Sequence, residues 1–495
     1  MSPFHSRRSF LTGVGASALA GSFPTLAAAQ GAARAASLPA RGEYLITSAL
    51  VMTMDSQLGN IANGSVHIKD GAIVDVGPDL AVPGAERLGS EGMIVLPGLI
   101  DTHWHLWSGI LRSMAISQQQ KYGYFPTSAA LGKLCLPSDI YCGVRLSTAE
   151  AIWGGITFVD DWAHNLRTPE HADKNLQALQ ESGLRGRFNY GPARGIPVTE
   201  TLNLDDLKRR HSDWKSYSNE GLLSLGLAWR GVQHAVTAPD GAMAFQPIPK
   251  EVYQSEYDTA RSLGIPITVH CNIGQKVDRG HVAALDRLGL LYPDLQLVHM
   301  VSSTPQEVEM TARAGCSVSS TPYTEMRTGF GFLPIQAYLD AGVRVGLGID
   351  TTALSGDANM FEIMKGIQNI DNGEALSEFQ MSSRRALELG TIEGARSLGM
   401  DSQIGSITKG KRADLIMVDT RGANIGIVTD PYEIVVGAVQ PGNVDLVMVD
   451  GRILKRGGRF VALDVNQVVA DAKAANAALR RGRDGGNSFA RSLSG

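Results

Sequence analysis

Four short words in this chain carry residues that could hold a metal ion and do chemistry with it. They are Asp101-Thr102-His103-Trp104-His105, Val269-His270, Val298-His299 and Gly348-Ile349-Asp350. Each sits at the C-terminal end of a short apolar run, at 93–100, 265–269, 295–298 and 343–349. Side chains alternate along a strand, so His103 and His105 leave on the same side and can grip one ion from one direction. Neutral imidazoles with one carboxylate suit zinc, or another borderline divalent metal such as Fe2+. Such an ion lowers the pKa of a coordinated water to about 7. Asp350 is placed to accept a proton from that water, and His299 to hydrogen-bond it or to polarise a substrate C=O or C=N. The chemistry is hydrolytic attack on an electrophilic carbon of an amide, carbamate, amidine or halo-aromatic. Taken singly, each residue has a plainer reading: a strand-end His as a structural histidine, Asp350 as a helix cap for the stretch after Thr351. The order H-x-H, H, H, D is what carries the argument.

These words need a scaffold that brings strand ends together. Eight β-like runs, at 93–100, 155–159, 184–190, 222–229, 265–269, 295–298, 316–319 and 343–349, alternate with amphipathic stretches such as 251–263 and 305–314. That pattern predicts an α/β fold, a TIM (β/α)8 barrel, whose active-site residues project from the strand C-termini. A doubly wound sheet is the weaker alternative, because no GxGxxG follows an early strand. Outside the barrel, 65–76 turns at Asp70-Gly71 and 445–455 turns at Asp450-Gly451, two hairpin signatures with a D-G turn. They predict a composite β-sandwich built from both chain ends. The expected division is a leader at 1–29, sandwich at 42–98, barrel at 99–400, sandwich again at 401–463, and a C-terminal tail or helix at 464–495.

The bulk numbers narrow the partners. The chain has 495 residues, 43% hydrophobic and 19% charged, with a net charge of −4. This is ordinary for a globular protein and shows no basic patch for nucleic acid. No run reaches the roughly 18 apolar residues of a membrane span. A small-molecule substrate is the expected partner, and a second copy of the chain is a further candidate. The N-terminus reads Ser6-Arg7-Arg8-Ser9-Phe10-Leu11, then a weakly apolar stretch at 11–23, then Ala27-Ala28-Ala29. This resembles a twin-arginine signal peptide with an A-x-A cleavage site, against the plainer reading of a disordered basic tail. It predicts export through the twin-arginine machinery to the periplasm or beyond. A bridge between Cys135 and Cys142 is compatible with that route.

Leu96-Pro97-Gly98-Leu99-Ile100-Asp101-Thr102-His103-Trp104-His105 resembles the strand-1 motif of the amidohydrolase superfamily. Gly346-Leu347-Gly348-Ile349-Asp350 is similar to its strand-8 motif, and 405–415 to the closing segment of its sandwich. The nearest branch holds S-adenosylhomocysteine and cytosine deaminases and triazine hydrolases. The resemblance implies metal ligands at His103, His105, His270 and Asp350, with His299 beside the metal-bound water. It also implies a mononuclear site, since binuclear relatives use a strand-4 lysine and 222–230 contains none.

Two departures stand out. Deaminases of the branch carry H-x-x-E on strand 5, where the Glu shuttles protons; here the segment is His270-Cys271-Asn272-Ile273. Where many relatives have Asn-Pro-x-Ser-Asn after strand 7, this chain has Thr321-Pro322-Tyr323-Thr324-Glu325. Glu325 is therefore a candidate for the vacated proton shuttle, against a surface pairing with Arg327. Arg230, ending strand 4, is expected to hold a substrate carboxylate or carbonyl, or else to form a rim salt bridge. Trp104 and Trp107, with Tyr122, Tyr124 and Phe125, open a long connection that could cap an apolar substrate, or simply pack onto the barrel. His164, with Asp160 and Asp161 after strand 2, is read as a surface-turn residue, against a second reading in which it lines the site; His234 is read as a loop residue. The expected function is metal-dependent hydrolysis of an amide, carbamate or similar C–N bond. The alternatives are a heterocycle deaminase with a non-standard shuttle and a metal-free binding protein on the same fold.

Overall fold

The computed structural model describes residues 38–115, 119–238, 243–274 and 278–482. The leader expected at 1–29 and the end of the C-terminal tail lie outside these residues. Eight parallel strands form the central sheet. They are β1 (Leu99–Trp104), β2 (Ile156–Ala163), β3 (Arg185–Tyr190), β4 (Leu223–Trp229), β5 (Ile267–Cys271), β6 (Leu295–His299), β7 (Ser317–Ser320) and β8 (Arg344–Leu347), paired in chain order. Both faces of such a sheet are covered, so β2 and β6 are buried along their whole length and read as near-continuous apolar runs. The barrel closes just past β8. Trp104 and Asp350 form a parallel bridge, Asp350 N donates to His103 O at 2.8 Å, and His105 N donates to Asp350 O at 2.6 Å. The closing seam therefore runs through three of the four expected ligands.

The apolar run at 93–100, read as one strand, is two. Met93–Pro97 pairs antiparallel with Leu415–Asp419 in the composite sheet, and β1 begins only after Gly98. A Cβ on Gly98 would lie 2.0 Å from Thr157 Oγ1, so only glycine lets the chain pass β2 at the change of sheet. Among the described residues the composite domain is a nine-stranded mixed sheet. Segments from both chain ends enclose one core of Ile46, Val66, Val95, Leu415 and Met448.

The sheet is tied to the barrel end away from the ligands. Arg185, first residue of β3, donates to both oxygens of Asp414 at 2.6 and 3.1 Å. Asp450 beside it receives Arg41, Arg412 and Arg452. Each buried charge there has a partner, as a low-dielectric site requires. Helix Val465–Arg480, capped by Asp464, packs against the connection after β1 through Asn476 Nδ2 to Ile110 O at 2.7 Å. Cys142 is a free thiol, so it makes no bridge with Cys135. No helix among the described residues is long and apolar enough to cross a membrane.

Candidate metal centre

His103, His105, His270 and Asp350 converge, with their ligand atoms all within 4.8 Å of one another. Asp350 Oδ1 lies 3.2 Å from His105 Nε2 and 3.5 Å from His103 Nε2, and His103 Nε2 lies 3.2 Å from His270 Nε2. A tetrahedron with zinc-like arms of about 2.0–2.1 Å has edges of about 3.3 Å. The donor set and its spacing fit such an ion. Protonation states fit as well. Burial pushes the His103 imidazole down to about 3 and His270 well below its ordinary range, so both rings are neutral donors. Burial alone would raise Asp350, but the His103 and His105 rings outweigh it and hold the carboxyl well below its usual range. His105 Nδ1 lies 3.2 Å from Trp162 O, an acceptor, which assigns the proton to Nδ1 and leaves the Nε2 lone pair facing the cluster.

His299 stacks beside His270, ring centroids 5.3 Å apart and planes within 10°. Its Nδ1 lies 3.0 Å from Thr321 Oγ1 and 3.4 Å from Glu325 Oε1. His299 and Asp350 both adopt left-handed backbone, at φ 77° and 63°. Such a conformation costs a non-glycine residue on the order of 1–3 kcal/mol and tends to collect at functional sites.

Three of the four cluster residues, His105, His270 and Asp350, line the floor of a cavity of about 460 Å³. Its wall is largely aromatic and apolar, with Tyr124, Phe125, Trp162, Trp229, Phe245 and Phe330. Much of one side comes from 192–198 and from a hairpin, Gln233–Thr237 and Met243–Pro247, which the sequence reading did not anticipate. His164, for which lining the site was the second reading, and His234, read as a loop residue, both belong to this wall. Burial and the nearby Arg230 push His234 down to about 3. Among the described lining residues Asp350 is the only carboxylate.

Four expected site residues are placed otherwise than anticipated. Trp104 and Trp107 are fully buried and do not line the cavity. Trp104 lies between two ligands on β1, so alternation turns it to the outer side. Trp107 belongs to the 3-10 turn Leu106–Leu111, buried throughout. Arg230 reaches the wall, but its guanidinium is spent on Glu256 Oε1 at 2.6 Å and on the carbonyls of Glu200 and Pro197. Glu325 is buried behind His299 rather than in the cavity. Its oxygens accept from Thr321 N at 2.7 Å and Ser320 Oγ at 3.2 Å. Arg194, which the sequence reading passed over, is half-buried on the wall. It donates to Ser128 Oγ at 2.7 Å and has no carboxylate partner among the described ion pairs.

The sequence model of the amidohydrolase family matches residues 94–454. The 5'-deoxyadenosine deaminase of Methanosarcina mazei is 26% identical over 446 residues, covering 88% of this chain and 97% of that protein. The 5-methylthioadenosine/S-adenosylhomocysteine deaminase of Syntrophobacter fumaroxidans is 27% identical, covering 87% and 96%. An adenosine deaminase from Xanthomonas campestris with bound zinc superposes with a TM-score of 0.75 at 22% identity, over 89% of this chain and 99% of that one. An atrazine chlorohydrolase from Arthrobacter aurescens complexed with zinc gives 0.74 at 23%, over 88% and 100%. At these identities the two structures establish the shared fold.

Proposed function

The chain belongs to the amidohydrolase family and is a metal-dependent hydrolase of carbon–nitrogen bonds; we propose that the bond is an amide or carbamate of a small, partly aromatic molecule. We assign one zinc ion, with Fe2+ as the alternative, to His103, His105, His270 and Asp350. When bound it supplies Lewis acidity and a water acidic enough to ionise near neutral pH. Asp350 takes the proton of the attacking water. His299 orients that water through Nε2, since Thr321 and Glu325 occupy its Nδ1 side. Glu325 is thus a positioning residue, not the shuttle. The amine must leave protonated, and Asp350 is the one carboxylate among the described lining residues, so it returns the proton it took. Arg194, a guanidinium on the wall with no carboxylate ion-pair partner among the described residues, holds a substrate carboxylate or carbonyl in place of Arg230.

The carrying observation is the ligand cluster at the cavity floor with Ile273, an apolar residue, beside it. Attack on an aromatic ring carbon pushes charge onto a ring nitrogen, and Ile273 cannot donate to it. The second reading, a heterocycle deaminase, is favoured by the names of the relatives. A panel of N-acyl and carbamoyl compounds alongside 5'-deoxyadenosine separates the two. Amine and carboxylate products support the first; ammonia from the nucleoside with an inert amide set overturns it. Metal analysis should find one equivalent of ion, and chelation should abolish turnover until zinc is restored. We further propose that 1–29 directs the folded enzyme through the twin-arginine route to the periplasm.

A further inference from the structure

We propose that His164 presents an Nε2–H donor to the substrate, and that the buried Trp107 fixes it in that tautomer. The inference rests on the cavity being the reaction site. His164 follows β2 and is 6% exposed, and its ring forms part of the wall. It meets the His105 ring edge-on at 4.3 Å and the Trp107 ring at 5.3 Å. Trp107 Nε1 lies 3.3 Å from His164 Nδ1. An indole N–H can only donate, so a fully buried Trp107 needs Nδ1 as an acceptor.

The competing acceptor for an Nδ1 proton is Trp162 O, 3.4 Å away. That carbonyl already receives His164 N at 2.9 Å and lies 3.2 Å from His105 Nδ1. A proton on His164 Nδ1 would crowd a third donor onto one oxygen and set two N–H groups against each other. The proton therefore belongs on Nε2. That atom is buried and has no hydrogen-bond partner among the described residues. A buried donor without a partner is a costly feature, and one in a cavity wall is satisfied by an incoming acceptor.

The ring touches a residue of the metal cluster, so the acceptor belongs close to the carbon under attack. A carbonyl oxygen next to the scissile bond fits; a second amino group does not. No charge change on His164 is involved. Trp107, fully buried and away from the cavity, thereby acts on the substrate at one remove.

The test uses the zinc-loaded enzyme labelled with 15N-histidine, with His164→Gln identifying the His164 signals. Two-bond 15N–1H spectra should report the Nε2–H tautomer in the unmodified enzyme and loss of that preference in Trp107→Phe. An Nδ1–H tautomer in the unmodified enzyme overturns the proposal. The second arm measures kcat/KM on the best-hydrolysed compound of the amide panel. His164→Phe should lose about 10–100-fold, and His164→Gln, which keeps an N–H near the same point, should recover most of it, both at unchanged zinc content. Equal loss in both variants means packing and overturns the donor role. If no compound is hydrolysed, the C–N assignment fails while the tautomer still decides this point.

Discussion

Gly348→Ala should weaken both the fold and ion binding through a single contact. Gly348 lies on the closing seam, one residue past β8. A Cβ there would sit 2.8 Å from His103 O, 2.9 Å from His103 N and 3.1 Å from His103 Cβ. These are main-chain and stem atoms, which move only if β1 as a whole moves off β8. The same step would stretch the bonds that close the barrel, Asp350 N to His103 O and His105 N to Asp350 O. Overpacking of this kind costs about 1–3 kcal/mol. A strained or lost hydrogen bond adds about 0.5–1.5 kcal/mol. The expected destabilisation is therefore about 2–4 kcal/mol. The displaced strand carries two ligands, so ion affinity should also fall by about 10–100-fold, the range seen when a ligand's support is altered. Gly373→Ala is the control of opposite sign. It lies in helix Met360–Ala375 with nothing within 4 Å of the added carbon. It should stabilise by about 0.5–1 kcal/mol. Apparent melting and inactivation rates report the first effect, and zinc competition against a chelator the second. A Gly348→Ala protein that melts and holds zinc like the parent would refute the claim that this seam sets the ligand spacing.

Asp350→Asn should fold and lose turnover by at least about 10²-fold, because the amide cannot take the water proton; near-parental kcat would remove Asp350 from proton transfer. Asp414→Ala leaves the 4%-exposed Arg185 side chain short of its main partner, and should cost about 3–5 kcal/mol in unfolding free energy. In metal-stripped protein, burial holds His103 at about 3 against an ordinary value of 6.5. The unfolded chain then binds that proton first, so stability should decline as pH falls from about 6.5 towards 3 and be independent of this group above it; a denaturation midpoint equal at pH 7.5 and pH 5 would contradict this. Arg7→Lys with Arg8→Lys should leave uncleaved enzyme in the cytoplasm, as read by fractionation, since Lys lacks the planar guanidinium fork.

The residues legible in the sequence are those whose address is local. Each ligand ends an apolar run, and parallel strands buried on both faces read as such runs. Their position in the word is enough to put His103, His105, His270 and Asp350 at one end of a barrel. The same alternation that makes the HxH pair legible also turns Trp104 away from the ion, a signal present in the word itself. What resisted reading depends on partners far along the chain. Arg230 ends a strand and faces the cavity side as expected, yet its charge is claimed by Glu256, 26 residues on. Glu325 looks like a free carboxylate one turn past β7 until Ser320 and the Thr321 amide take its oxygens and His299, from the neighbouring strand, comes against it. The run at 93–100 gives no hint that Gly98 carries the chain from one sheet to another, because the evidence for it is Thr157 on β2. The walls resisted for a different reason. The segment 192–198 has no period to detect, and Gln233–Thr237 shows no apolar–polar alternation that would mark a hairpin strand. Ligands follow from strand ends, but the choice of substrate follows from loops whose side chains meet only in three dimensions. His164 belongs to that second class, since its tautomer depends on an indole 57 residues earlier.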